Sequence, residues 1–204
     1  MKVVSKFFLS LIKIVVSNAI AYDWNDFHSH KDINKFIDDL ACSNSDWVQT
    51  VSIGKTFEGR DMRVIEINKA GPNAPIAWID ASIHGNEWIT SATVTYLINE
   101  LVVNYGEIRE IVDNLSIHIL PIANPDGYEY SRSGHGLGRK NRNTTNCACY
   151  ESFGYDNCGV DLNRNWGYKW GWGLSTSDDP CNPDIYRGVE VSKNLSLHKE
   201  NHNA

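Results

Sequence analysis

The run from Ile76 to Ile89, IAWIDASIHGNEWI, constrains the fold more than any other part of the chain. Its first half is apolar and follows the turn residues Gly71, Pro72, Asn73 and Pro75, the pattern of an inner strand in a sheet flanked by helices. Its second half puts His84 and Glu87 where strand gives way to helix. In open α/β sheets, ligands sit in the crevice beyond the carboxyl ends of the strands. An imidazole and a carboxylate brought together by one tight turn supply two corners of a tetrahedral zinc site, leaving the others to a third protein ligand and a water. The same spacing also fits a capping glutamate beside an ordinary histidine.

The surrounding periodicity extends the α/β pattern. Ile33, Phe36, Ile37 and Leu40 recur at helical spacing behind Ser29 or Asp32 as N-cap. Strands are expected over Val48 to Ile53 and Met62 to Ile67, joined by a connection with Gly54 and Gly59 near its ends. An amphipathic helix over Ile89 to Val103, a helical turn around Ile108 and Val112 and a strand over Leu115 to Ala123 follow. Asn124-Pro125-Asp126-Gly127 then reads as a turn. The expected fold class is α/β, a mixed β-sheet with helices on both faces.

Composition narrows the compartment and the partners. A net charge of -6 without a basic stripe excludes a nucleic-acid footprint. Residues 1–21 have the layout of a secretion signal: Lys2 and Lys6, an apolar stretch from Phe7 to Val16, and the small-x-small site Ala19-Ile20-Ala21. No segment is long and apolar enough for a membrane partner, and the expected location is extracellular. Behind a signal, Cys42, Cys147, Cys149, Cys158 and Cys181 read as disulfide formers rather than a zinc cluster, with one thiol left over. Asn114, Asn143 and Asn194 stand in N-glycosylation patterns, the middle one in a polar loop.

The second half adds a receptor for anions. Arg139, Lys140 and Arg142 form a basic segment, and Asn163-Arg164-Asn165-Trp166 sets an arginine between two asparagines. Arginine offers a rigid fork that matches a carboxylate, and asparagine adds a further donor. A metal corner with a carboxylate receptor suggests a peptide or amino-acid substrate recognised by its free C-terminus. Taken singly, each arginine reads better as a solvated loop charge.

Together, the motifs IGKTFEGR, WIDASIHGNEWIT, IANPDGYEYS, RKNR and CGVDLNRNW, continuing through YKWG to DPC and YRG, resemble the zinc metallocarboxypeptidases of the pancreatic carboxypeptidase A and B type. The resemblance runs from about Tyr22 to Gly188, in the family's order and at similar spacing, apart from extra residues between Arg142 and Cys158. Behind the signal over 1–21, it implies a partial catalytic domain over 22–188, equivalent to the N-terminal half to two-thirds, and a divergent tail over 189–204. It further implies one Zn2+ held by His84 and Glu87, an oxyanion-steadying Arg139, a carboxylate grip from Asn163 and Arg164, and a Cys158–Cys181 disulfide. A peptide or protein with a free C-terminal carboxylate is the implied partner, and the complete protein would be a monomer.

Several departures qualify what the resemblance implies. Asn86 stands where the family usually has an arginine and Gly138 where it often has a tryptophan. The third zinc ligand and the general-base glutamate belong to a region beyond Gly188, where the pattern is lost; His198 and His202 lie in the polar tail. These 204 residues are accordingly expected to hydrolyse peptides weakly or not at all. A rival expectation is a secreted, catalytically dead binder of peptide C-termini. A hydrolase of small N-acyl amino acids shares the zinc pair but accounts less well for NPDG and NRNW.

Overall fold

The computed structural model describes residues 22–145, 147, 158–173 and 175–190. Helix α1 (His30–Ser43) starts at Ser29, whose hydroxyl accepts from the Asp32 amide at 3.1 Å. Such a cap is worth about 1 kcal/mol. The helix buries Ile33, Phe36, Ile37 and Leu40 along one stripe. Strands β1 (Val48–Lys55) and β2 (Asp61–Asn68) form an antiparallel hairpin. Strand β3 (Ile76–Asp80) leads into α2 (Trp88–Val103), and a short α3 (Arg109–Val112) precedes β4 (Ser116–Leu120) and α4 (Pro125–Arg132).

The four strands form one mixed sheet in the order β1-β2-β4-β3, with β2 antiparallel to β4 and β3 parallel to it. Side chains alternate between faces along each strand. Ile65 and Ile67 of β2 and Ile117 and Ile119 of β4 join Phe36, Ile37 and Leu40 of α1 and Ile98 and Leu101 of α2 in the main core. Met62, Val64 and Leu120 point the other way and pack with Val51, Ile53 and Trp78.

Two local expectations are corrected. Strand β3 is not an inner strand among the described residues: it pairs with β4 alone, and Ile76 is 42% exposed. Its run of apolar residues is half-buried rather than enclosed on both sides. Asn124-Pro125-Asp126-Gly127 does not make a free-standing turn but opens α4. The Asn124 side chain caps the Gly127 amide at 3.0 Å, and proline occupies the first turn, where its missing N–H costs nothing.

That opening also fixes the β1–β2 connection. Asp126 is 1% exposed and accepts from Thr56 Oγ1 at 2.7 Å, the Glu58 amide at 2.9 Å and Arg60 Nη1 at 2.7 Å. One buried carboxylate therefore satisfies three donors of a loop about seventy residues away in sequence. Removing a partner from such a cluster strands the remaining polar groups without solvent, at about 3–5 kcal/mol. Asp126→Ala is expected to lower unfolding stability by about 3 kcal/mol in denaturant titration, with Asp126→Asn losing less because its amide oxygen still accepts.

Candidate metal and substrate site

The site is built where β3 ends. The strand's ladder runs on through Ala81, whose N–H donates to the Leu120 carbonyl at 3.0 Å. Ser82 then turns the chain with a φ of 47°, a left-handed conformation that costs a non-glycine residue roughly 1–2 kcal/mol. Its polar atoms are held by the start of α2: the amide donates to Thr90 Oγ1 at 2.9 Å and the hydroxyl meets Ser91 Oγ at 2.6 Å. Gly85 sits against the backbone of α4, where a Cβ would stand 2.1 Å from the Gly127 carbonyl carbon and 2.3 Å from the Tyr128 nitrogen. Gly138 crosses the same point from a third segment, with φ 61° and only 2.3 Å between its own virtual Cβ and Gly127 O. This packing has no room for a side chain at 138, which accounts for the glycine at that departure from the family pattern.

The turn delivers His84 and Glu87 side by side, with His84 Nδ1 2.9 Å from Glu87 Oε1. Glu87 precedes α2 but its side chain makes no capping hydrogen bond, which removes the reading of it as a helix cap. His84 is buried, and its other ring nitrogen, Nε2, lies 3.2 Å from Asp161 Oδ1. Both nitrogens thus face carboxylate oxygens, an arrangement that the doubly protonated ring satisfies. The Asp161 hydrogen bond is the main reason that the His84 pKa is raised, with Glu87 adding to it against the effect of burial.

Asp161 is the residue that sequence reasoning missed. It is fully buried, and its Oδ2 accepts from Arg139 Nη2 at 3.2 Å while its Oδ1 accepts from the Asn163 amide at 2.9 Å. Burial alone would raise its pKa, but the bond to His84 and the charges of His84 and Arg139 outweigh burial and lower it. Three segments carrying expected site residues therefore meet at one carboxylate. The available signal was the Asp-Leu-Asn spacing in VDLNRN, since Asp161 caps the short 3-10 turn Leu162–Arg164.

The residues expected to receive an anion are arranged from the same turn. Trp166 Nε1 donates to Asn163 Oδ1 at 3.1 Å, and because an indole N–H can only donate, the amide oxygen must face it. The Asn163 amide nitrogen is thereby left to donate elsewhere. Arg164 is steadied by bonds from Nε to the Ser175 carbonyl at 2.7 Å and from Nη1 to the Asn163 carbonyl at 3.2 Å. Of the basic segment, Arg139 faces Asp161, Lys140 is buried with Nζ donating to the Asn182 carbonyl at 2.7 Å, and Arg142 stacks 3.7 Å over the Tyr130 ring.

The donor set fits a zinc ion as far as it goes. A ligating histidine ordinarily gives its second ring N–H to a carboxylate, which fixes the tautomer and directs the other nitrogen's lone pair at the metal. Asp161 is placed to take that proton, leaving Nδ1 on the side of Glu87. Among the described residues no group of three or more His, Cys, Asp or Glu side chains is arranged to hold a metal ion. His30 and His118 are engaged elsewhere, with the Asp61 carbonyl and with Ser116, and His198 and His202 lie outside the described residues.

The disulfide expectation is corrected. Cys158 is bonded to Cys147, with their Cα atoms 5.3 Å apart, rather than to Cys181. A sulfur makes one such bond, and Cys147, eleven residues before Cys158, belongs to the extra segment after Arg142 and offers a close local partner. Cys181 is disulfide-bonded as well, and Cys42 is free and exposed.

Two measurements probe this geometry. Gly85→Ala is expected to cost more than about 3 kcal/mol of unfolding stability, because its Cβ would meet backbone on two sides rather than movable side chains. For the His84–Asp161 pair without metal, linkage gives a bell. The raised His84 contributes stability fully below its unfolded pKa of 6.5 and loses it as pH rises through the folded value. The lowered Asp161 contributes above 3.8 and loses it as pH falls through its folded value. Asp161→Asn should therefore destabilise most between those two limits, by about 1.5–3 kcal/mol, with the difference shrinking on either side when unfolding is followed against pH.

Comparison with known proteins gives the family of the chain. A sequence profile of the zinc carboxypeptidase family matches residues 33–195. The chain is 37% identical over 176 residues to a carboxypeptidase B of Astacus astacus, covering 86% of this chain and 55% of that protein. It is 34% identical over 171 residues to zinc carboxypeptidase A 1 of Anopheles gambiae, covering 83% of this chain and 37% of that protein. Among solved structures, carboxypeptidase A from Helicoverpa armigera superposes with a TM-score of 0.73 at 31% identity, over 84% of this chain and 40% of that one. Thrombin-activatable fibrinolysis inhibitor superposes with a TM-score of 0.75 at 27% identity, over 86% of this chain and 44% of that one. The chain thus spans about half or less of the length of these relatives, and within that span it belongs to the zinc carboxypeptidase family.

Proposed function

We propose that this chain is a secreted metallocarboxypeptidase-type protein that takes peptides by their free C-terminal carboxylate. The observation that carries the reading is the meeting of His84, Arg139 and Asn163 at the buried Asp161. His84 and Glu87 would hold zinc, which when bound supplies a Lewis acid that lowers the pKa of a coordinated water to about 7. Asn163 would donate one hydrogen bond from its amide nitrogen to the substrate carboxylate, and Arg164 would match that carboxylate with its guanidinium. Arg139 would direct its guanidinium at the scissile carbonyl, where a preorganised cation is worth about 3 kcal/mol as negative charge develops. Asp161 would keep both Arg139 and His84 oriented for these tasks. Residues 1–21 would direct the chain to an oxidising compartment, in keeping with the Cys147–Cys158 bond.

With two protein ligands among the described residues the metal site would be weak, and the 204 residues by themselves would therefore cleave slowly or not at all while still holding a C-terminus. The expected result is binding of a free-acid peptide about tenfold or more tighter than its C-terminal amide, with the preference lost in Arg164→Gln. Zinc should be removed by dialysis against a chelator, with little peptide hydrolysis before or after. Equal binding of acid and amide would refute the receptor. Full hydrolysis by the purified chain, or one equivalent of zinc retained against the chelator, would refute the weak two-ligand site.

A further inference from the structure

The three N-glycosylation patterns differ in what the fold does with them. Asn194 lies outside the described residues. At Asn114, the nitrogen that would receive a sugar donates to the Glu110 carbonyl at 2.7 Å and helps to close α3. The third residue of that pattern, Ser116, is 4% exposed on β4, and its hydroxyl is 2.9 Å from His118 Nε2. Modification there would break a helix-terminal bond beside a closed hydroxyl.

Asn143 is arranged the other way. The Thr145 amide donates to Asn143 Oδ1 at 3.0 Å, so the oxygen is the committed atom and the side chain of Thr145 is exposed. Asn143 Nδ2 has no partner among the described residues. The residue lines a cleft of about 330 Å3 together with Thr56, Phe57 and Asn124. Phe57 is 54% exposed there, an apolar ring without an evident folding role at the tip of the β1–β2 connection. A pyranose attached at Asn143 would bring its apolar face within reach of such a ring, covering surface that otherwise faces water.

We infer that Asn143 carries an N-linked glycan whose first sugar rests on Phe57, and that Asn114 stays bare. In the transfer, Asn143 Nδ2 forms a bond to the anomeric carbon of an oligosaccharide, and the bond from that carbon to a lipid diphosphate breaks. The diphosphate leaves with the electron pair, and the amide gives up one of its two protons. The lipid-linked donor and its transferase belong to the secretory compartment, so the inference rests on reading residues 1–21 as a secretion signal.

The test is secretion of the full 204-residue chain from a eukaryotic host, in an Asn194→Gln background, with N-terminal sequencing and intact mass before and after N-glycosidase. The expected product begins at Tyr22 and loses one glycan on treatment; Asn143→Gln and Thr145→Ala lack it, whereas Thr145→Ser and Asn114→Gln keep it. Removing the glycan should lower the thermal midpoint, and Phe57→Ala should keep the glycan but abolish that difference. A product that begins at Tyr22 with Asn143 bare, or with sugar on Asn114, overturns the assignment and leaves the secretion reading standing. A glycan on Asn143 whose effect on the midpoint survives Phe57→Ala removes Phe57 from the site. A chain that keeps residues 1–21 and carries no sugar overturns both readings.

Discussion

A carboxylate with no exposure to water, Asp161, is the interaction on which the site depends. A buried charge is stable only when it is paired and its lone pairs are filled. Here the filling comes from a histidine, an arginine and a backbone amide on three different segments. The demand to satisfy one anion therefore positions three groups at once. It also divides the imidazole's two nitrogens between two carboxylates, with Nε2 toward Asp161 and Nδ1 toward Glu87.

Asp126, in the first turn of α4, repeats the device. There the donors are Thr56, Glu58 and Arg60, and what is held is a hairpin connection. Gly85, Gly127 and Gly138 let three backbones touch, which brings the turn after β3 against α4 without an intervening side chain. Electrostatic pairing and steric closeness thus act together: the glycines set the distance, and the carboxylates fix what faces it.

Much of this was legible in the sequence. Periodicity gave α1, α2, α3 and the four strands to within a few residues but not α4, and the ordered motifs around His84, Glu87, Arg139, Asn163 and Arg164 pointed to the family that the comparisons then established. The misses have physical causes. An aspartate in a sequence carries no mark of burial, so Asp161 looked like any other acid in a polar loop. The apolar run of β3 has the composition of an enclosed strand, but enclosure depends on neighbours that lie far away in the chain. Asn-Pro-Asp-Gly suits a turn and a helix start equally well, and only the Gly127 amide meeting Asn124 decides between them. Cysteine pairing depends on spatial proximity, and an eleven-residue separation made Cys147 available to Cys158.

The bond between His84 and Asp161 joins residues 77 positions apart, whereas His84 and Glu87 meet within one turn. Closing a chain segment of that length costs entropy before any contact repays it, and such non-local contacts slow folding. The His84–Glu87 pair can therefore form early and locally, but its orientation waits until the segment around Asp161 has docked. A histidine whose second ring nitrogen is set by so long-range a contact takes its final orientation only in molecules that have finished folding, so partly folded chains do not present the arrangement.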